Sequence, residues 1–253
     1  MDTKQTLLIT GAAGTIGQLL VEHLAERYEL VLTDQREPAV TAGFPYKEAD
    51  ISDYASVESV FTHFSGIHTV LHLAADIRTT APWESLLPNN LIGTYNVFEA
   101  AHRATCKRII FASSINSVDG YPEDVQVHTS MPVAPLNLYG ASKAWGEAVG
   151  RFYADFKNMD VHCFRIGWLT PHDGERLKTE AKHDLLRMAV THRDLLKLFD
   201  SCLASSLPFG IWHGLSDNFF KRLDLTDTQE KLGYAPTDDG YVLAGKIPSP
   251  KDF

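Results

Sequence analysis

The chain has 253 residues, 44% of them hydrophobic, and a formal net charge of −9 at pH 7. That size and apolar content suit one medium domain, or a domain with a small substrate-binding extension. The acidic balance, without a run of Lys or Arg, argues against a nucleic-acid surface.

The first strand candidate, Thr6 to Thr10, runs into Gly11-Ala12-Ala13-Gly14-Thr15-Ile16-Gly17, followed by a helical apolar pattern from about Gly14 to Arg27. Strand, glycine turn and helix in that order suit a bound pyrophosphate. Glycine lets backbone amides approach the phosphates, and the helix N-terminus adds partial positive charge. Thr15 and Ile16 lie within this loop and are expected to contact the cofactor with Gly11, Gly14 and Gly17. The next strand candidate, Glu29 to Thr33, ends at Asp34. A carboxylate there accepts from both adenosine ribose hydroxyls and repels a 2′-phosphate, which favours NAD over NADP. Asp34 also reads as the start of a turn, and Arg36 leaves room for NADP. Asp50 has two readings, a partner for the adenine amino group beside apolar Ile51 or the N-cap of a helix near Tyr54 to Phe64.

Further strands are expected at Thr69 to Leu73, Arg108 to Ala112 and Val161 to Ile166, with helices at Leu87 to Ala104 and Leu136 to Lys157. This alternation implies an α/β fold, a Rossmann-like doubly wound parallel sheet with helices on both faces. Residues 1–166 would form the NAD-binding core and 167–253 a small C-terminal substrate-binding lobe, integrated as a single domain. In that lobe the pattern suggests helices at Leu177 to Val190 and Arg193 to Ala204, a strand at Phe209 to His213 and a helix at Asp227 to Leu232. The tail from Gly245 to Phe253, with its Pro and Lys residues, is expected to lack regular structure.

Ser113 and Ser114 follow the fourth strand candidate at its C-terminal end, where parallel sheets bind ligands. Tyr139 and Lys143 stand one helical turn apart, a spacing that also occurs on ordinary helix surfaces. A free Tyr, with a pKa of about 10, is a poor base at neutral pH. A nearby ammonium and an oxidised nicotinamide would favour the phenolate. Tyr139 would then take a proton from a substrate hydroxyl while Ser114 hydrogen-bonds the reacting oxygen. Cys106, Cys163 and Cys202 show neither disulfide nor zinc spacing, so reduced core thiols are expected and no metal. His72 reads as a packed residue, His192 as part of a helix start, and Trp83 as either a pocket wall or a packing residue. With no secretory-type segment before the first strand and no apolar run of membrane-spanning length, a soluble cytoplasmic protein is expected.

The glycine run, Asp34, Asp50, His72-Leu73-Ala74-Ala75, Asn89 to Thr94, Ser113-Ser114 and Tyr139 with Lys143 resemble, in order and spacing, the extended epimerase/dehydratase-like branch of the short-chain dehydrogenase/reductase superfamily. The resemblance implies Ser114, Tyr139 and Lys143 as a catalytic triad, Asn90 as a residue ordering the Lys and its water, and Leu73, Ala74 and Ala75 as cofactor-lining residues. It also implies a homodimer or dimer-based oligomer, built from the helices that contain Trp145 and begin near Leu87.

Within that branch, Ala81 to Ser85, Arg165-Ile166-Gly167 with Thr170-Pro171, His192-Arg193-Asp194, Gly214 to Asn218 and Leu232 to Tyr234 resemble the uronate dehydrogenases and the haloarchaeal NAD-dependent glucose-6-phosphate dehydrogenases. The implied reaction oxidises the C1 hydroxyl of a pyranose, foremost a hexuronate, to the lactone while NAD is reduced. The chain departs from the uronate pattern at Ile77, at Ile115 and Asn116, and at Trp168, where polar sugar contacts change type. Arg78 and Arg176 are candidates to grip a carboxylate or phosphate, with Ser113 and Ser114 also facing the substrate. The alternatives are a dehydrogenase for a sugar phosphate or another small alcohol, a nucleotide-sugar epimerase or dehydratase, and a non-catalytic NAD(H) sensor.

Overall fold

Strands that are apolar along their whole length must be covered on both faces. The computed structural model, which describes residues 4–37, 43–180 and 182–246, has such a sheet at its centre. Its strands are β1 (Thr6–Thr10), β2 (Glu29–Asp34), β3 (Tyr46–Glu48), β4 (Ile67–His72), β5 (Arg108–Ser114), β6 (Asp160–Ile166) and β9 (Phe209–Gly214). All pair in parallel in the order β3-β2-β1-β4-β5-β6-β9, the doubly wound arrangement with its switch point between β1 and β4. The last strand comes from beyond residue 166, so the C-terminal segment completes the large sheet.

Alternation along the strands divides the core in two. Leu7 and Ile9 face one side with Leu20 and Leu24 of α1 (Thr15–Leu24) and Leu195, Leu198 and Phe199 of α8 (His192–Ala204). Leu8, Ile109 and Phe111 face the other side, against α2 (Tyr54–His63), α4 (Gly93–Arg103) and α5 (Leu138–Lys157). Leu195, Leu198, Phe199 and Leu203 recur at helical spacing, which predicts core positions; the first three are buried and Leu203 packs partly buried against them.

Several boundaries differ from the sequence pattern. The helix expected from Leu87 to Ala104 is three pieces: α3 (Trp83–Leu86), a π-helical segment Leu87–Ile92, and α4. Pro88, which has no N–H to donate, stands in the widened segment. The helix expected from Leu177 to Val190 is instead α6 (Glu175–Glu180) and α7 (His183–Leu186), followed by strand β8 (Ala189–Thr191). β8 pairs in parallel with β7 (Trp168–Thr170), so tertiary pairing, aided by β-branched Val190 and Thr191, overrides helical periodicity. The N-cap of α2 is Asp53, which accepts from the Ala55 N–H, while Asp50 accepts from the Ser52 N–H; the capping reading of Asp50 is therefore corrected.

Buried polar groups brace the C-terminal segment. Asp194 accepts from the Ser216 hydroxyl at 2.8 Å and the Asp238 N–H at 2.9 Å, and the Asn218 amide donates to the Ala189 carbonyl at 2.9 Å. Helices α9 (Thr226–Leu232) and α10 (Gly240–Leu243) complete it. The tail beyond Lys246 lies outside the described residues. Among the described residues no helix is long and apolar enough to cross a membrane. Phe98, whose ring packs against Phe111 and Tyr153 with no exposed surface, anchors the α4–α5 face. Phe98→Ala should lower unfolding free energy by about 3–5 kcal/mol, read as a lower denaturant midpoint at unchanged m-value.

Candidate active site

β1 delivers its chain to Gly11 at φ 71°, where an added Cβ would lie 2.7 Å from the Ala74 nitrogen. Only glycine takes that conformation at no cost, and only without a side chain does the loop lie against the Leu73–Ala75 segment. Thr10 ties these two strand ends together, its hydroxyl oxygen meeting the Leu73 and Ala74 N–H groups at 3.2 and 3.3 Å and His72 Nδ1 at 2.8 Å. Burial holds His72 down to about 3, so the ring is neutral and packed, as its apolar strand suggests. Gly14 caps α1 without a side-chain hydrogen bond, so the first-turn N–H groups face the adjoining space. Asp34, at the end of β2, accepts from the Ala13 N–H at 2.9 Å and so fixes the loop to the neighbouring strand.

These elements open onto one cavity of about 1010 Å³ above the C-terminal edge of the sheet. Of the cofactor candidates, Gly11, Gly14, Thr15, Ile16, Gly17, Asp34, Ile51, Leu73, Ala74 and Ala75 line it. Asp50 is exposed and outside the lining. A dinucleotide fits this wall: a loop that a Cβ would block, uncapped helix N–H groups and a carboxylate at the next strand end.

Farther along the same cavity stand Ser114, Tyr139 and Lys143. Ser114 ends β5, and its oxygen accepts from the Asn116 N–H and side-chain amide, both at 3.2 Å. That leaves its own proton free, and the neighbouring Ser114 hydroxyl favours the ionised form of the Tyr139 phenol. Asn137 caps α5 by accepting from the Gly140 N–H at 2.8 Å and donates to Asn116 Oδ1 at 2.9 Å. At Gly140 an added Cβ would overlap the Asn116 carbonyl oxygen, so glycine is what lets α5 start this close to Ser114.

Lys143 is buried, donating to the Ala112 carbonyl at 2.9 Å, with its ammonium 5.0 Å from the Phe111 ring and 5.7 Å from that of Tyr139. Burial lowers its pKa to about 8. The expected lowering of the Tyr139 pKa does not come from the chain alone. Burial pushes the phenol up, Ser114 opposes this through its hydrogen bond, and the Asp76 charge adds to the rise.

The substrate candidates divide. Ile77, Ser113, Ile115, Asn116, Trp168 and Arg176 line the cavity, although the Ser113 hydroxyl turns into the core and donates to Glu147 at 2.6 Å. Arg176 lies over the Trp168 ring at 4.9 Å and donates to Glu180 at 2.8 Å. Arg78 is not among the lining residues; its exposed guanidinium donates to Asp76, which holds that carboxyl well below the usual carboxylate range. Asn90 is also outside the lining. Its side-chain amide accepts from the Asp76 N–H at 2.8 Å and donates to the Asp76 carbonyl at 2.9 Å and to the Ser142 hydroxyl of α5 at 3.0 Å.

The sequence pattern missed Asp76, Asp119 and His192 as cavity residues. His192 opens α8 as expected, but its place in the wall follows from the β7–β8 pair that aims that helix. Trp83 is exposed and not among the lining residues. Among the described residues no group of three or more His, Cys, Asp or Glu is placed to hold a metal ion.

The lowered Lys143 pKa sets a stability prediction. The unfolded chain binds the Lys143 proton up to about pH 10.4, whereas the folded chain releases it near 8. Folding is therefore penalised below 8, and stability rises as pH climbs between these values. Lys143→Met should raise unfolding free energy at pH 7, by on the order of 3 kcal/mol, and flatten that alkaline rise in denaturation curves.

Comparison with known proteins places this geometry. Residues 7–197 match the model of the NAD dependent epimerase/dehydratase family. The chain is 34% identical to an NAD-dependent glucose-6-phosphate dehydrogenase of Haloferax volcanii, covering 93% of this chain and 94% of that one. It is 33% identical to an L-arabinose 1-dehydrogenase (NAD(P)(+)) of the same organism, covering 94% and 98%. The crystal structure of uronate dehydrogenase from Agrobacterium tumefaciens superimposes with a TM-score of 0.84 at 30% identity, covering 97% and 91%. The glycine loop, the Ser114–Tyr139–Lys143 cluster and these matches together make the chain a member of the NAD dependent epimerase/dehydratase family, with NAD as its cofactor.

Proposed function

We propose that this protein is an NAD-dependent sugar dehydrogenase that oxidises the C1 hydroxyl of a pyranose, foremost a hexuronate, to the lactone. The observation that carries the reading is one continuous cavity lined both by the glycine loop with Asp34 and by Ser114, Tyr139 and Lys143. Gly11, Gly14, Thr15, Ile16 and Gly17 of its lining would hold the pyrophosphate, and Asp34 would accept from the ribose. When bound, NAD would supply the hydride acceptor and a positively charged ring.

Tyr139 removes the C1 hydroxyl proton as the hydride departs from the same carbon. Its buried phenol becomes a base only with positive charge at hand, and the Lys143 ammonium is held within one helical turn to provide part of it. Ser114 donates to the reacting oxygen, for which its hydroxyl is already oriented by Asn116.

Anion recognition falls to Arg176. Trp168, a departure from the uronate pattern, gives its guanidinium a flat platform, and with Nε donating to Glu180 the Nη nitrogens are left for a substrate carboxylate. The similarity to an NAD-dependent glucose-6-phosphate dehydrogenase over nearly the whole chain favours a second reading, a hexose phosphate. Exposed Tyr95, Phe152 and Phe156 on α4 and α5 fit a homodimer, and three buried free thiols fit a reducing, cytoplasmic setting.

NADH formation should be followed with NAD and a matched set: glucuronate, galacturonate, glucose 6-phosphate, arabinose, glucose and galactose. Turnover concentrated in the uronates supports the first reading, turnover on the phosphate alone selects the second, and turnover only on neutral sugars would keep oxidation at C1 and contradict the anion recognition given to Arg176. Tyr139→Phe should lose turnover by about 10²-fold or more while still binding NAD in titration calorimetry. Arg176→Ala should raise KM for the charged substrate by about tenfold and leave kcat nearly unchanged. Light scattering should give twice the chain mass; a monomer would remove the dimer from this account.

A further inference from the structure

Beneath the floor of the cavity lies a pair of charges that the mechanism above does not use. Glu147 stands one turn beyond Lys143 on α5, and Arg165 faces it from β6, both almost fully buried. The guanidinium donates from Nε to Oε1 at 3.0 Å and from Nη2 to Oε2 at 2.9 Å. A buried pair of this kind gives little net stability over apolar residues of the same volume, so its stabilising effect does not account for it.

Its other contacts do. Glu147 Oε1 also accepts from the Ser113 hydroxyl at 2.6 Å and from the Ser117 hydroxyl at 3.2 Å. Ser117 shares that proton with the Ser114 carbonyl at 2.8 Å. One carboxylate oxygen thus holds the residue before Ser114 and the residue closing the turn after it. Ser114 is left with little freedom at its backbone, and its hydroxyl is aimed by that backbone.

We propose that Glu147 is a positioning residue for the reaction: oriented by Arg165, its carboxylate fixes Ser113 and Ser117 and thereby sets the Ser114 hydroxyl against the Tyr139 oxygen. The proposal rests on the reading of Ser114 and Tyr139 as reacting groups. It requires that disturbing the network changes what Ser114 does to Tyr139 and nothing at the dinucleotide end of the cavity.

The test uses the full chain with NAD bound. Glu147→Gln alone strands the Arg165 charge and risks the fold, so the variants are Ser117→Ala and the charge-free pair Glu147→Gln/Arg165→Met, each made in the wild type and in Ser114→Ala. The Tyr139 phenol is titrated by ultraviolet difference spectroscopy against Tyr139→Phe, and kcat is measured on the fastest sugar of the set above. In the wild-type background the phenol midpoint should rise by about one pH unit and kcat should fall about tenfold to 10²-fold. NAD affinity should stay within about twofold. In the Ser114→Ala background the same changes should have no further effect, because the network acts through Ser114. Unchanged phenol midpoint and kcat in both wild-type-background variants, with Ser114→Ala shifting both, would overturn the positioning role alone. If Ser114→Ala itself moves neither, the reading of Ser114 falls and the proposal with it.

Discussion

An ammonium kept inside the protein, with a carbonyl and two aromatic rings as its neighbours, is the constraint around which the site is organised. Lys143 is almost fully buried and pays for that burial with a lowered pKa. Its compensation is the Ala112 carbonyl and the faces of Phe111 and Tyr139. Phe111 in turn packs on Phe98 and His72, so the charge is embedded in the α4–α5 core. The neutrality of His72 follows from the same burial and the same charge.

The walls of the cavity come from distant parts of the chain, and a small number of side chains hold them in register. Asn90 clamps Asp76 on one side and Ser142 on the other, joining the strand-end loop after β4 to α5. Asn137 and Asn116 join the start of α5 to the turn after β5. Arg222, buried, donates to the carbonyls of Tyr121, Pro122 and Val125 and pins the following loop to the C-terminal segment. The dehydrogenase reading needs such bracing, because proton and hydride must leave one carbon together and small misplacements are costly.

Much of the fold was legible because its signals are local. The strands β1, β2, β4, β5 and β6 are apolar runs, and the glycine loop joins strand to helix within a few residues. Strands β3, β7 and β8 have three residues each, too few for a period to register. The site divides in the same way. Ser114, Tyr139 and Lys143 carry fixed spacings along β5 and α5, and the cavity does bring them together. Arg78 reads in the sequence as a candidate to grip a substrate anion, whereas Asp76, two residues away, engages its guanidinium. His192 and Asp119 enter the wall only through tertiary packing, for which sequence spacing holds no signal.

The most direct test of the account is the fate of the hydrogen at C1. Galacturonate carrying deuterium at C1 should be incubated with the protein and NAD, and the reduced cofactor and the sugar product examined by NMR. The account predicts deuterium in the NADH formed and a lactone without it, both lost together in Tyr139→Phe. Deuterium retained on the sugar, with its configuration changed at another carbon or with no net NADH, would contradict oxidation at C1 and point to epimerase-type chemistry.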